Sequence, residues 1–275
     1  MITRCQPLLG TFVEITAPAE AGAAISAAFA VIRHVHARMS FHEDTSDLAL
    51  IRRADPGEVI EVDRETVAVL RVANALHEAT DGLFDVTMGR ELVRAGFLPR
   101  MDVAHLARFS GNTGDLDIVD DTHLRCRRPL LVDLGGIAKG HAVDRSVETL
   151  VGAGVAHGVV NAGGDLRLFG DQDWPVHLRD AEGRMGAPRL MSDCAVASSA
   201  NLLNRRRHRG QDVSPHFDRD RRPVLSDHAV TVVADRCVIA DAMTKVALAD
   251  VALANRILAA HRGFVLSRQL PRMAA

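Results

Sequence analysis

Residues 131–144 read Leu131-Val132-Asp133-Leu134-Gly135-Gly136-Ile137-Ala138-Lys139-Gly140-His141-Ala142-Val143-Asp144. An apolar run that ends in a carboxylate, a glycine pair and then Ala-Lys describes a strand turning tightly into a helix. The pattern predicts a strand over 129–134 and a helix from about Ala138 to Val151, stopping near Gly152 and Gly154. Free amides at a helix N-terminus, its dipole and a first-turn lysine together make a cradle for phosphate. It is not a P-loop, because the order G-x-x-x-x-G-K-[ST] is absent. A plain strand-to-helix turn with a solvated lysine explains the same residues about equally well.

Two further segments weigh on that choice. Val159-Val160-Asn161-Ala162-Gly163-Gly164-Asp165 puts a second glycine pair after a second strand. Glycines there mark either a bulge or the close approach of a ligand. Two such turns, each flanked by a carboxylate, point to one shared pocket. In Ala240–Val246, ADAMTKV, the residues Asp241, Thr244 and Lys245 share one helix face. Asp with Thr is a hard-oxygen pair suited to Mg²⁺. The alternative is a capping Asp and a Thr bonded back to its own helix.

The remaining chain sets the fold class. Thr11–Ala17 reads as a strand. Ala19–Met39 reads as an amphipathic helix, with Ile25, Ala28, Phe29, Ile32, Val35 and Met39 on one stripe. A second helix is predicted at about Arg64–Ala79 and a hairpin over 110–123. Strands are expected at 158–161, 166–170, 176–179, 195–198, 229–234 and 263–266, and a late helix at 238–254. The arginine-rich run 204–210 reads as a solvated loop. Elements cluster by region without βαβ alternation, which predicts α+β with antiparallel or mixed sheets flanked by helices. The 275 residues fit a single domain over the whole chain, or two closely packed lobes.

Composition excludes several classes. A net charge of −2 gives no bulk attraction to nucleic acid or anionic membrane. Four scattered cysteines without a C-x-x-C pair argue against structural zinc. No apolar run reaches a membrane span and no signal peptide is evident, so the sequence as written reads as cytoplasmic, or periplasmic if a leader has been removed. Of 33 basic residues two are lysine, Lys139 and Lys245, and tyrosine is absent. Under such a bias a retained lysine marks a place where the planar arginine fork does not serve.

GTFVEI, SFHEDTSDL, GLFDVT (82–87), VDLGGIAKGHAVD, VNAGGD, VASSA (196–200) and ADAMT stand in the order seen in the ApbE family, which this chain resembles from about Leu9 to Val251. Members are FAD:protein FMN transferases. The resemblance implies FAD in a deep cleft with Mg²⁺ on its pyrophosphate. FMN then passes to a threonine hydroxyl of an acceptor flavoprotein, and AMP is released. It implies that Asp133, Gly135, Gly136 and Lys139 form the diphosphate region, with the Ala138 carbonyl offered to Mg²⁺. Gly163, Gly164 and Asp165 would meet the nucleotide. Gly82, Phe84 and Asp85 would line the flavin cleft, with Ser198 and Ser199 near the ligand, and Asp241 would bind the metal. His216, Lys139 and Asp241 are the candidates for catalysis.

Departures from the family pattern qualify that assignment. Members often place a tyrosine near the flavin, where this chain offers Phe41 or His42. Arg52 replaces a common asparagine. The family's H-I-I-D-P segment survives as Pro215-His216-Phe217-Asp218-Arg219, with His216 the candidate to assist the acceptor hydroxyl. A threonine usually stands four residues after the metal Asp. Here that position is Lys245, so either Thr244 takes over as ligand or the Lys245 ammonium partly replaces the metal charge. Water in place of the acceptor would give an FAD pyrophosphatase, and loss of catalysis an FAD-binding homologue.

Overall fold

In the computed structural model, which describes residues 1–179 and 185–269, the glycine-rich segment closes a largely buried run and opens a helix. The first elements are β1 (Ile2–Leu8), β2 (Thr11–Ala17), α1 (Gly22–Met39), α2 (Asp47–Arg53), β3 (Val59–Glu61), α3 (Arg64–Ala79) and α4 (Gly89–Arg94). Next come β4 (Leu116–Ile118), β5 (His123–Cys126), α5 (Ala138–Gly152), β6 (Gly158–Ala162) and β7 (Asp165–Phe169). They are followed by β8 (Trp174–Arg179), β9 (Met185–Met191), β10 (Ala195–Ala200), α6 (Asn201–Asn204), β11 (Arg206–His208) and β12 (Gln211–Val213). The last are β13 (His228–Ala234), α7 (Cys237–Ala249), α8 (Val251–Leu258) and β14 (Phe264–Gln269).

The chain divides into two compact units. The first, made of Met1–His36, Lys139–Leu203 and Ser226–Ala275, carries a seven-stranded sheet in the order β1-β2-β6-β7-β10-β13-β14. Every pairing in it is antiparallel. The period of two is plain in β2, where Val13, Ile15 and Ala17 are buried while Phe12 beside them is 68% exposed. Helix α7 packs on β10 and β13 and is buried on nearly every side, as its continuous apolar sequence requires.

The second unit, Ala37–Ala138 with Asn204–Leu225, is smaller in its sheets: β3-β5-β4 and the hairpin β11-β12. Its α3 runs over the predicted Arg64–Ala79 and starts on an Asp63 side chain that accepts the Glu65 amide at 2.9 Å. Phe41, Val103, Phe109 and Leu131 form an apolar cluster. The α+β class holds, and the hairpin expected over 110–123 is β4-β5.

Three expectations are corrected. Pro129–Leu134 is not a strand. Its Leu131 carbonyl accepts the Gly89 amide at 3.0 Å and its Asp133 amide donates to Val86 at 2.8 Å. Burial of Leu130, Leu131, Val132 and Leu134 therefore reflects packing against irregular backbone and no ladder. The late helix is two helices, because Asp250 leaves helical geometry (φ −148°, ψ 96°) and caps α8 by accepting the Leu253 amide at 2.9 Å. Residues 206–208 form a hairpin with 211–213, where Arg206 lies 3.9 Å from the Phe97 ring centroid.

Candidate functional site

Both lysines of the chain lie in the first unit, and each meets a buried carboxylate. Lys139, in the first turn of α5, donates through Nζ to Asp165 Oδ2 at the start of β7. Lys245, on α7, donates to Asp241 Oδ1 and, at 3.0 Å, to the Asp241 main-chain carbonyl. The second oxygen of Asp241 accepts the Gly140 amide at 3.1 Å, which ties α7 to the first turn of α5. Thr244 gives its hydroxyl proton to the Asp241 carbonyl at 2.7 Å, as a helix-bonded threonine does. Asp241 and Thr244 are fully buried, whereas the side chains of Lys139 and Lys245 keep 30% and 26% exposure.

The electrostatics follow from that placement. Burial pushes the Asp241 carboxyl up, yet the Lys245 and Lys139 ammoniums and the Gly140 amide outweigh it and hold the group below the ordinary carboxylate range. Burial lowers Lys139, the Asp241 charge opposes that, and the neighbouring Lys245 charge reinforces it. Each ammonium has its own buried carboxylate, Lys139 with Asp165 and Lys245 with Asp241, so two cations and two anions gather beside the start of α5, the end of that helix that favours anions.

Residues not singled out from sequence hold this arrangement in place. Asp144, fully buried, accepts the Cys237 and Val238 amides at 2.9 Å each and so caps α7 from another helix. Arg167 donates to the same carboxylate at 2.9 Å. A Cβ on Gly140 would stand 2.3 Å from the Cys237 carbonyl oxygen, so only glycine lets α5 and α7 approach this closely. The signal for these roles is the continuation of the motif into Gly140 and Asp144. Their partner helix lies about a hundred residues away in sequence, so the spacing alone does not reveal it.

The remaining first-unit candidates are turn and strand residues. Gly163 and Gly164 close the β6-β7 hairpin with φ of 67° and 104°, a region glycine enters freely. Ser198 lies on β10 with its hydroxyl 2.9 Å from that of Thr231, and Ser199 follows it.

In the second unit, Asp133, Gly135 and Gly136 lead into Ala138, the first residue of α5. Neither glycine has a positive φ, so the tight turn needs no left-handed residue. Gly82 does, at 77°, and donates its amide to the His77 carbonyl after α3. Gly82 and Asp85 line a depression of about 480 Å³ with His77, Asp81, Arg219 and Arg221. Phe84 is buried beside them, its amide bonded to the Thr80 hydroxyl at 2.9 Å. Phe41 is a core residue, with the Arg52 guanidinium 5.8 Å from its ring centroid, so of the two stacking candidates His42 is the exposed one. Arg52 is itself buried and paired with Asp102 at 2.9 Å and Asp44 at 3.3 Å.

His216 is buried in a loop whose backbone is fixed. Its carbonyl accepts the Val224 amide at 2.8 Å and the Ser214 hydroxyl at 3.0 Å. Arg221 clamps the loop by donating to Asp85 Oδ2 (3.1 Å), Glu91 (3.3 Å), the Thr87 hydroxyl (3.1 Å) and the Gly111 carbonyl (2.8 Å). Asp85 Oδ1 takes the Thr87 and Thr113 hydroxyls at 2.7 Å each. Asp85 is thus saturated by its own unit, and Arg221 carries no local pattern that would single it out from sequence.

The donors fit Mg²⁺ in chemistry. Asp241 supplies a carboxylate held in its charged form, and Thr244 keeps its oxygen lone pairs because it donates its proton elsewhere. Among the described residues no three His, Cys, Asp or Glu side chains gather as a metal-binding group. None of the helices described is long and apolar enough to cross a membrane.

Known proteins resemble the chain along nearly all of this framework. The sequence profile of the ApbE family matches residues 9–263. An FAD:protein FMN transferase of Rhodobacter capsulatus is 31% identical over 201 residues, covering 68% of this chain but 38% of that protein. One from Vibrio cholerae is 26% identical over 230 residues, covering 78% of this chain and 69% of its own. The chain therefore spans well under half of the first relative's length. In structure it resembles the ApbE protein of Thermotoga maritima (TM-score 0.82, 24% identity, 98% and 97% of the two chains). It likewise resembles the flavin transferase ApbE of Vibrio cholerae (TM-score 0.80, 25% identity, 97% and 92%).

Proposed function

The chain belongs to the ApbE family, and on that basis we propose that it transfers FMN from FAD to a threonine hydroxyl of an acceptor flavoprotein, with Mg²⁺ and with release of AMP. The observation that carries the reading is the gathering of the chain's two lysines, Lys139 on Asp165 and Lys245 on Asp241, beside the first turn of α5, where the Gly140 amide meets Asp241. In the transfer the threonine oxygen forms a bond to the FMN phosphorus. The bond from that phosphorus to the bridging oxygen breaks, and AMP leaves with that oxygen. Negative charge grows on the phosphoryl oxygens and the leaving group. Fixed cations in a partly dry site stabilise such charge without rearranging.

Lys139 is proposed to bind the diphosphate, since its ammonium keeps donors beyond the one given to Asp165 and is partly exposed. Asp241, Thr244 and the Ala138 carbonyl would hold Mg²⁺, whose chemistry there is charge neutralisation on the pyrophosphate. Gly135, Gly136, Gly163 and Gly164 would let backbone approach the ligand. Asp85 and Arg221 would keep the His216 loop in place, and His216 would accept the threonine proton.

The test is incubation of the purified protein with FAD, Mg²⁺ and an acceptor flavoprotein carrying its target threonine. Flavin fluorescence on the denatured acceptor, with one AMP per FMN attached, supports transfer. FMN and AMP released without an acceptor mark a pyrophosphatase, and FAD recovered intact marks a binding protein.

A further inference from the structure

The Lys245 ammonium bonds both the Asp241 carboxylate and the Asp241 main-chain carbonyl, and Asp241 is fully buried. We propose that Lys245 is a built-in cation of this site: it holds Oδ1 of Asp241, so a divalent ion binds there only by displacing it. The inference rests on the functional reading above for what the charge is used for, and on geometry alone for where the charge sits.

Several observations converge. The other Asp241 oxygen is committed to the Gly140 amide, so Oδ1 is the one a metal would need. That oxygen is the one Lys245 takes. Thr244 points its proton at the same main-chain carbonyl that Lys245 bonds, so carbonyl, hydroxyl and ammonium form one compact group around Asp241. A chain that writes arginine almost everywhere keeps lysine here and at Lys139. A guanidinium is a wide planar fork, while an ammonium is a compact point charge that can occupy a cation-sized position. Lys245 reaches Asp241 from one helical turn along α7, so the pair is assembled within a single helix and is present before any ligand arrives.

Manganese binding to the full chain without FAD, read by the loss of free Mn²⁺ signal in electron paramagnetic resonance, tests this. The wild type is compared with Lys245→Met and Lys245→Gln. Removing a competing cation at contact distance tightens Mn²⁺ binding by about tenfold or more. Equal affinity in all three proteins, or weaker binding in both variants, overturns the proposal. Because loss of Lys245 exposes Asp241 to uncompensated burial and could unfold the chain, a second measurement uses the wild type. With ¹³C-lysine labelling the protein shows two lysine side chains. The Lys245 ε-carbon resonance moves saturably as Mg²⁺ is added if the ammonium is displaced. A resonance that stays fixed while the metal binds overturns the proposal. Flavin transfer by the wild type is scored in parallel. Transfer with unchanged Mn²⁺ affinity in the variants sinks the Lys245 inference alone, and absence of transfer sinks the functional reading alone.

Discussion

Two clusters of basic and acidic side chains, one in each unit, use the same charges to different ends. Around Arg221 the guanidinium donates to Asp85, Glu91, Thr87 and Gly111, and Asp85 is filled by the Thr87 and Thr113 hydroxyls. These groups satisfy one another within the protein, with the Asp85 side chain 4% exposed. Around Asp241 the cations are lysines, each with spare donors and partial exposure. The first cluster is closed on itself, and the second keeps ammonium protons beyond those given to its own carboxylates. Residue type, more than charge, separates them: a five-donor fork fits a closed network, and a compact ammonium leaves capacity for a ligand.

The contrast is most exposed to refutation at Lys139. Lys139→Arg keeps the charge but changes its shape, and FAD turnover should fall by about a hundredfold, the cost of losing one preorganised donor. The melting temperature should move little. Near-wild-type turnover would make Lys139 a structural partner of Asp165 and nothing more.

The opposite outcome is expected at Arg221. Arg221→Met takes the ion-pair partner from the buried Asp85, while Glu91 keeps Arg90 at 2.6 Å, so urea unfolding should show a loss of about 3 kcal/mol, as for other partly buried ion pairs deprived of one partner. Arg221→Lys should restore less than half of it, because one ammonium cannot replace four directed contacts. Full rescue by lysine would erase the distinction between the clusters.

Gly140→Ala probes the lysine cluster from its backbone side. The added methyl meets the Cys237 carbonyl, and overpacking of this kind costs about 1–3 kcal/mol. Because Gly140 also anchors Asp241, Mn²⁺ binding should weaken in the same variant. A stable variant with unchanged binding would show that α5 and α7 do not need to touch.

The smallest effect lies in acid. The folded Asp241 carboxyl sits below its ordinary value, so its contribution is present above the unfolded carboxyl range near pH 4. It is lost as the pH falls through the depressed folded value. Asp241→Asn should therefore flatten the wild-type decline in stability below about pH 4, and parallel acid limbs in the two proteins would contradict that sign.

Much of this is legible in the sequence for physical reasons. Period-two burial in β2 and the apolar stripe of α1 depend on neighbours in sequence, and the structure bears out both. It bears out α3 as well, whose Asp63 cap and final Ala79 carry local signals. The run 129–134 imitates a central strand because its four aliphatic residues are buried, although its backbone bonds go to Val86 and Gly89. The late helix hides its break because Asp250 reads as an ordinary helix residue, and only the structure shows it capping α8. Lys139 and Lys245 are marked by composition, whereas Asp144, Arg167 and Arg221 are not, because their partners are distant in sequence and one arginine among many carries no mark. Phe41, an aromatic near a ligand motif, packs in the apolar cluster of the second unit, a placement its neighbours in sequence do not announce.

Transfer itself is decided by the mass of a purified acceptor flavoprotein after incubation with this chain, FAD and Mg²⁺. A gain of one FMN on a single threonine, matched by one AMP and abolished when Lys139 is replaced, is the expected result. An acceptor of unchanged mass beside intact FAD would contradict it.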